Sequence, residues 1–286
     1  MAVYKRGYRR YDGPLTGRWT RFMVLPRYAW RRLYEQRLVL LLTMVSFVWP
    51  LLCAGFIYLT NHVELLQGLD KDFRDFIQVN GRFFSIFMYV QAGFAVFLAA
   101  LAGPSLIAPD LSNNALPLYF SRPLTRWSYA LARLTVIIGM LSVVTWVPGL
   151  ILFALQVGLA GGWWFVSNWT LGVGVVVGFL LWLVILGLVA MASSAYVKWR
   201  VVAGAVSLAF FFILTGVSEM INNIFRVTWG HILDPAWAVN RVWCALLDVD
   251  PPDGPGAWAS MFSLATFVLL LVVVIERKLR PVEVVR

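Results

Sequence analysis

Residues capable of acid–base, nucleophilic or metal chemistry are few and scattered in this chain. The two histidines, His62 and His231, are isolated, and each reads as a satisfied interfacial residue. Cys53 and Cys244 lie far apart with no metal-ligand companions, so neither a disulfide nor a metal site is expected. No HExxH, GxSxG or GxxxxGK[ST] pattern occurs, which removes zinc peptidases, hydrolase elbows and nucleotide-binding loops. Asp110 and Glu219 fall at or beyond the ends of apolar runs. No buried carboxylate relay is therefore offered for proton or ion coupling. The chemistry that remains is recognition, and it concentrates in one stretch. Residues 104–129 read PSLIAPDLSNNALPLYFSRPLTRWSY: an acid, Asp110, then capping polars, a short apolar patch, Ser-Arg-Pro-Leu-Thr-Arg and an aromatic. Ser112, Asn113 and Asn114 can cap a short helix, with Ala115, Leu116, Tyr119 and Phe120 as its apolar face. Pro117 limits that helix, and Thr125 is a cap for the third apolar run.

The scaffold that carries this stretch is set by composition. Of 286 residues, 60% are hydrophobic and only 13% are charged. Mean hydropathy is +0.77. A soluble fold cannot hide so much apolar surface, so a polytopic membrane protein is the class that fits. A bilayer core of about 30 Å needs roughly 20 apolar residues as helix. Six apolar runs qualify, at about 38–59, 83–107, 129–157, 169–196, 201–217 and 258–275. The fold class is therefore all-α, with six transmembrane helices.

The net charge of +10 would suggest nucleic acid in a soluble protein. Sorted by side, however, 19 of the 24 basic residues fall on the side of the termini and 5 on the other. This is the positive-inside pattern, and it places both termini in the cytoplasm. A nucleic-acid partner is not expected. The opening segment is basic and aromatic and the run after it is span-length, so no cleavable signal peptide is expected.

The chain divides into three regions: a basic tail and elbow at 1–37, a six-helix domain at 38–275, and a cytoplasmic tail at 276–286. The domain includes the inside loop 108–128 and an outer segment 218–257. Residues 16–37 carry a helical pattern with Trp19, Phe22, Met23, Ala29, Trp30 and Leu33 on one face. Arg18, Arg21, Arg31 and Arg32 fall mostly on the other, and Pro26 should kink the helix or start a second segment. Such a basic amphipathic elbow lies in the membrane interface near anionic lipids. In the outer segment, Asp234-Pro235 reads as an N-cap followed by proline at the first helical position. One or two short outer half-helices are expected over 220–247, with Trp237, Val239, Val242, Trp243, Leu246 and Leu247 as an apolar face. Small residues recur at Gly172, Gly174, Gly178, Gly187, Ala205 and Ala209, and are expected to pack within the chain. No internal repeat is evident.

The loop 104–129 resembles that of the membrane subunit of ABC transporters of the type-2 exporter family. Ser121-Arg122-Pro123-Leu124-Thr125-Arg126 and Tyr129 match the family's pattern. Asp110 stands where glutamate is common, and Asn114-Ala-Leu-Pro-Leu-Tyr119 replaces a glycine-led stretch. The resemblance extends in architecture to the elbow, the six spans, the broken helices before the last span and the charged end. It implies that the loop is a coupling helix docking on a separate P-loop ATPase, with Leu116, Tyr119, Phe120, Arg122 and Arg126 in contact. Asp110 would tie the loop to a nearby basic group, an elbow arginine being the candidate. It further implies two ATPase copies, which carry ATP and Mg, and a second permease subunit, in a bacterial inner membrane. This chain itself would be no enzyme. The alternative is a non-transporting membrane scaffold or sensor of an envelope complex.

Overall fold

A computed structural model of the chain describes residues 18–62, 78–113, 126–197 and 199–279. Every regular element among them is helical. In chain order they are α1 (Arg18–Tyr34), α2 (Arg37–Ser46), α3 (Val48–Asn61), α4 (Gly81–Ala102), α5 (Pro104–Ser112), α6 (Arg126–Val144), α7 (Trp146–Ala160), α8 (Gly162–Tyr196) and α9 (Arg200–Phe225). A 3-10 turn (Trp229–Leu233), α10 (Pro235–Leu246) and α11 (Ala257–Leu279) complete the order. Six stretches are long and apolar enough to cross a membrane: Arg37–Asn61, Gly81–Asp110, Trp127–Ala160, Gly162–Tyr196, Arg200–Phe225 and Ala257–Lys278. This is the architecture of a multi-pass membrane protein, and each stretch contains or overlaps one of the six apolar runs.

α8 is the central post. It packs on α4, α5, α6, α7, α9, α10 and α11. Its 35 residues extend about 52 Å at 1.5 Å per residue, well beyond a hydrocarbon core. The glycines expected to allow close approach sit on it. Gly172 meets the Phe153 ring, Gly174 the α10 end at Leu246 and Leu247, and Gly187 the Leu134 side chain. A Cβ on Gly178 would stand 2.8 Å from both Trp243 and Met88. Its bareness lets the Trp243 indole reach the Gly178 carbonyl, with Nε1 donating at 2.8 Å. Ala205, by contrast, is exposed.

Two spans break at their middles, and the breaks share one cause. Pro50 and Pro148 lack the N–H that would bond the carbonyls of Ser46 and Val144 four residues earlier. A carbonyl left bare in hydrocarbon costs several kcal/mol. Gln91, fully buried in α4, supplies both partners. Its Nε2 donates to Ser46 O at 3.2 Å and to Val144 O. Hydroxyls complete the repair. Phe47 N turns to Met44 O, and Ser46 Oγ takes over Thr43 O at 2.7 Å. Thr145 N turns to Ser142 O, and Thr145 Oγ1 takes over Leu141 O at 2.8 Å. The first span thereby splits, with α2 packed mainly on α4 and α3 mainly on α7.

The cap expected at Asp234-Pro235 forms. Asp234 Oδ1 accepts from Ala236 N at 2.8 Å and Trp237 N at 3.2 Å, with Pro235 opening α10. Val239, Val242, Trp243 and Leu247 are buried beneath it. α9 runs on to Phe225, further than its apolar stretch, and ends on Arg226 in the left-handed region at φ 51°. His231 then stacks on Trp237 with ring centres 4.7 Å apart.

Replacing Gln91 with Leu should destabilise the fold by about 1–3 kcal/mol, since two carbonyls lose their donors. In a Pro50→Ala, Pro148→Ala background the backbone can supply those donors, and the same change should cost much less. Thermal unfolding of the four proteins in detergent measures this coupling.

Candidate functional site

The segment that carries the recognition motif leaves α5 and enters α6, and its two ends are held by buried polar contacts. α5 begins at Pro104, where a missing N–H costs nothing. Ser194 of α8, fully buried, fixes it from the side. Its Oγ accepts from Ala108 N at 2.9 Å and Ile107 N at 3.3 Å, and donates to Pro104 O at 3.3 Å. One turn later, Asp110 Oδ2 accepts from the Tyr129 hydroxyl at 2.6 Å and pairs with Arg133 Nη2. The Arg133 guanidinium also lies over the Tyr129 ring, 5.2 Å from its centre. The paired side chains are only 10% (Arg133) and 15% (Asp110) exposed.

Asp110 thus pairs with a nearby basic group, but that group is Arg133 of α6 and not the elbow arginine offered as the candidate. Tyr129 and Arg133 are four residues apart on α6, so both project from one face, here toward α5. The charge sorting counts Arg133 with the flanking inside charges, although the run at 129–157 contains it; it lies within the third span and is 8% exposed. The span interiors are thus less empty of charge than the sequence implies. Of the arginines on α1, Arg32 borders a cavity of about 160 Å³ that Asp110 and Arg133 also line. Arg31 is exposed and forms an outer pair with Glu35 at 3.6 Å, a contact worth little in water.

α1 packs on α6 and α2. Trp30 Nε1 donates to Val136 O at 2.8 Å, and Leu33 is 2% exposed. A Cβ on Gly139 would fall 2.4 Å from the Trp30 ring, so that glycine is what admits the indole. α1 continues through Pro26 as one helix, so no second segment starts there, and Pro26 is buried. Burial raises the Tyr34 phenol above its ordinary range. Met23, placed on the apolar face by the sequence, is 52% exposed and uncovered by this chain.

Several expected site residues lie outside the described residues: Asn114, Leu116, Tyr119, Phe120, Arg122 and Pro123. The side chains of Trp19, Arg21, Phe22 and Arg126 do so too, although their backbones are helical. Asn113 closes α5, exposed, with its N–H on Pro109 O at 3.1 Å. Sequence reasoning misses Arg133, Ser194 and Gln91 as tertiary ties. A usable signal exists for Arg133: it follows the motif aromatic Tyr129 by one helical turn, as an i, i+4 partner would. His231 Nδ1 lies 3.2 Å from the buried Ser218 hydroxyl, a contact that the sequence could not show. Both cysteines are buried thiols, and burial pushes Cys244 up, making it a poor nucleophile.

The arrangement can hold two loop ends rigid and present the residues between them. It gathers a clamp rather than a nucleophile and base. Comparison with protein families finds no family model that matches the chain, and no curated protein matches it either.

Removing one partner of a buried pair strands the other. Asp110→Ala should cost about 3–5 kcal/mol, whereas Asp110→Ala with Arg133→Met should cost far less. Unfolding midpoints in detergent distinguish the two. Gly139→Val should expel Trp30 and leave stability nearly intact, while limited proteolysis cuts α1 several-fold faster.

Proposed function

We propose that this chain is the membrane permease subunit of an ATP-driven ABC exporter or extractor of the type-2 class. Its inside loop 108–128 docks on a separate P-loop ATPase, with Leu116, Tyr119, Phe120, Arg122 and Arg126 at the contact. Two ATPase copies bind and hydrolyse ATP with Mg, and a second permease, like or unlike, completes the complex. Both termini face the cytoplasm of a bacterial inner membrane, and α1 lies in the interface as an elbow among anionic lipids.

The observation that carries this is the loop itself. Ser121–Arg126 and Tyr129 follow the coupling-loop pattern, and the buried contacts of Asp110, Tyr129 and Arg133 clamp its base. A loop that transmits force must be stiff where it joins the spans, because a slack joint would absorb the push. The clamp gives both joints a shared, desolvated tie. The energy source fits a partner subunit, since this chain carries no nucleotide-binding motif.

The test is co-purification. A Leu116→Asp, Tyr119→Asp variant should fold, keep its unfolding midpoint, and lose a P-loop ATPase that the unaltered chain retains. If the variant holds that ATPase equally tightly, the docking assignment is wrong. ATP-independent behaviour of the reconstituted complex would favour the scaffold alternative.

A further inference from the structure

A cavity of about 470 Å³ between α3 and α4 is walled mainly by aromatic and aliphatic side chains. A smaller one, of about 160 Å³, lies at the loop end of the second and third spans and differs in kind, because charge lines it. α1 contributes Tyr28 and Arg32, which are four residues apart and share a face. α5 and α6 contribute Asp110 and Arg133. Leu33 and Leu106, each 2% exposed, form its apolar, inner part. Tyr28 is 72% exposed and Arg32 is exposed too, so these two mark its mouth.

The charges of this cavity do not balance. Asp110 and Arg133 answer one another. Arg32 forms no ion pair among the described residues; Glu35, three residues on, pairs with Arg31 instead. One positive charge is therefore left over. Asp110 Oδ2 is taken by Tyr129 and Arg133, whereas Oδ1 accepts no hydrogen bond among the described residues. The cavity thus calls for one negative charge at Arg32 and a hydrogen-bond donor at Asp110. A dianion would be repelled by the Asp110 carboxylate. A zwitterion would leave the charge of Arg32 unbalanced and bring an ammonium beside two arginines.

Size narrows the ligand further. The volume equals that of about five waters at ~30 Å³ each. That space suits a phosphodiester headgroup and not its acyl chains, which need no pocket where spans meet lipid. We propose that this cavity binds the headgroup of one hydroxylated, monoanionic phospholipid of the phosphatidylglycerol type. The Tyr28 hydroxyl donates to its phosphate beside Arg32, and a glycerol hydroxyl donates to Asp110 Oδ1. The bound headgroup ties α1 to the base of the loop. This rests on the interfacial placement of α1 proposed above and uses no contact with an ATPase.

Native mass spectrometry of the full chain in detergent, with equimolar phosphatidylglycerol, phosphatidylethanolamine and phosphatidylmethanol, tests the site. One phosphatidylglycerol should be retained, about fivefold over phosphatidylethanolamine. Phosphatidylmethanol, equally charged but without hydroxyls, should be held less than phosphatidylglycerol. Arg32→Gln should lower that retention about fivefold, as expected for one arginine at an anionic lipid, with the unfolding midpoint in lipid-free detergent unchanged. Arg27→Gln, exposed on the same helix but outside the cavity, should leave retention as it is. Equal retention of phosphatidylglycerol and either other lipid, or an equal loss from Arg27→Gln, would overturn the site. Displacement by equimolar soluble glycerophosphoglycerol would overturn it too, because no lipid is then required. A spin label at Met23 tests the placement of α1 separately. Interfacial depth without lipid selectivity overturns the site alone, and a water-exposed label overturns the placement and the site together.

Discussion

One buried amide governs the middle of this membrane domain. Two prolines in different spans each strip a carbonyl of its helical donor, and hydrocarbon offers no water to replace it. Gln91 has two N–H groups on one nitrogen and places them on Ser46 O and Val144 O. Three spans are thereby fixed at a common depth. Leu or Met at this position would fill the space but leave two acceptors bare. Much else depends on this tie. The first span can bend, α3 can leave α4 for α7, and a cavity opens between them without an unsatisfied break in the backbone.

The opposite end is organised by a different kind of contact. There Asp110, Tyr129 and Arg133 join the second and third spans by charge and hydrogen bonds in a largely dry setting. Such a pair is weak evidence of net stability, since desolvation offsets most of the attraction. Its consequence is geometric: both ends of the loop are held to one another. Around these fixed points burial is uneven. The fourth span is 67% buried, against 28%, 28% and 22% for the first, fifth and sixth. The central helix is thus a core element, and the outer spans present their apolar faces to lipid or to other chains.

How much of this is legible in the sequence depends on the range of the physics. The spans are legible because each is a continuous apolar run whose length is set by the bilayer. Asp234-Pro235 is legible because a cap and a proline act within three residues, and the observed bonds to Ala236 and Trp237 are of that kind. The α8 start is not, because the polar Ser167 and Asn168 interrupt the apolar run, whereas the helix continues back through Trp163 and Trp164. Gln91 gives no signal as a neutral residue, since its partners are 45 and 53 residues away. Pro50 and Pro148, each leaving one carbonyl bare, are the available clue. Arg133 reads as a flank residue because hydropathy sorts charges to span ends. Only the fold shows that Asp110 meets it from 23 residues earlier. For the loop the motif remains the basis of the assignment, because its contact residues lie outside the described residues.

The central claim is that the base of this loop is rigid because Asp110, Tyr129 and Arg133 clamp it. Asn113 and Trp127 are exposed and flank the loop, so spin labels there report on the joint directly. Pulsed electron–electron resonance in nanodiscs should give one narrow distance distribution, and Asp110→Ala should broaden it severalfold. A broad distribution in the unaltered chain, or one unchanged by Asp110→Ala, would contradict the claim.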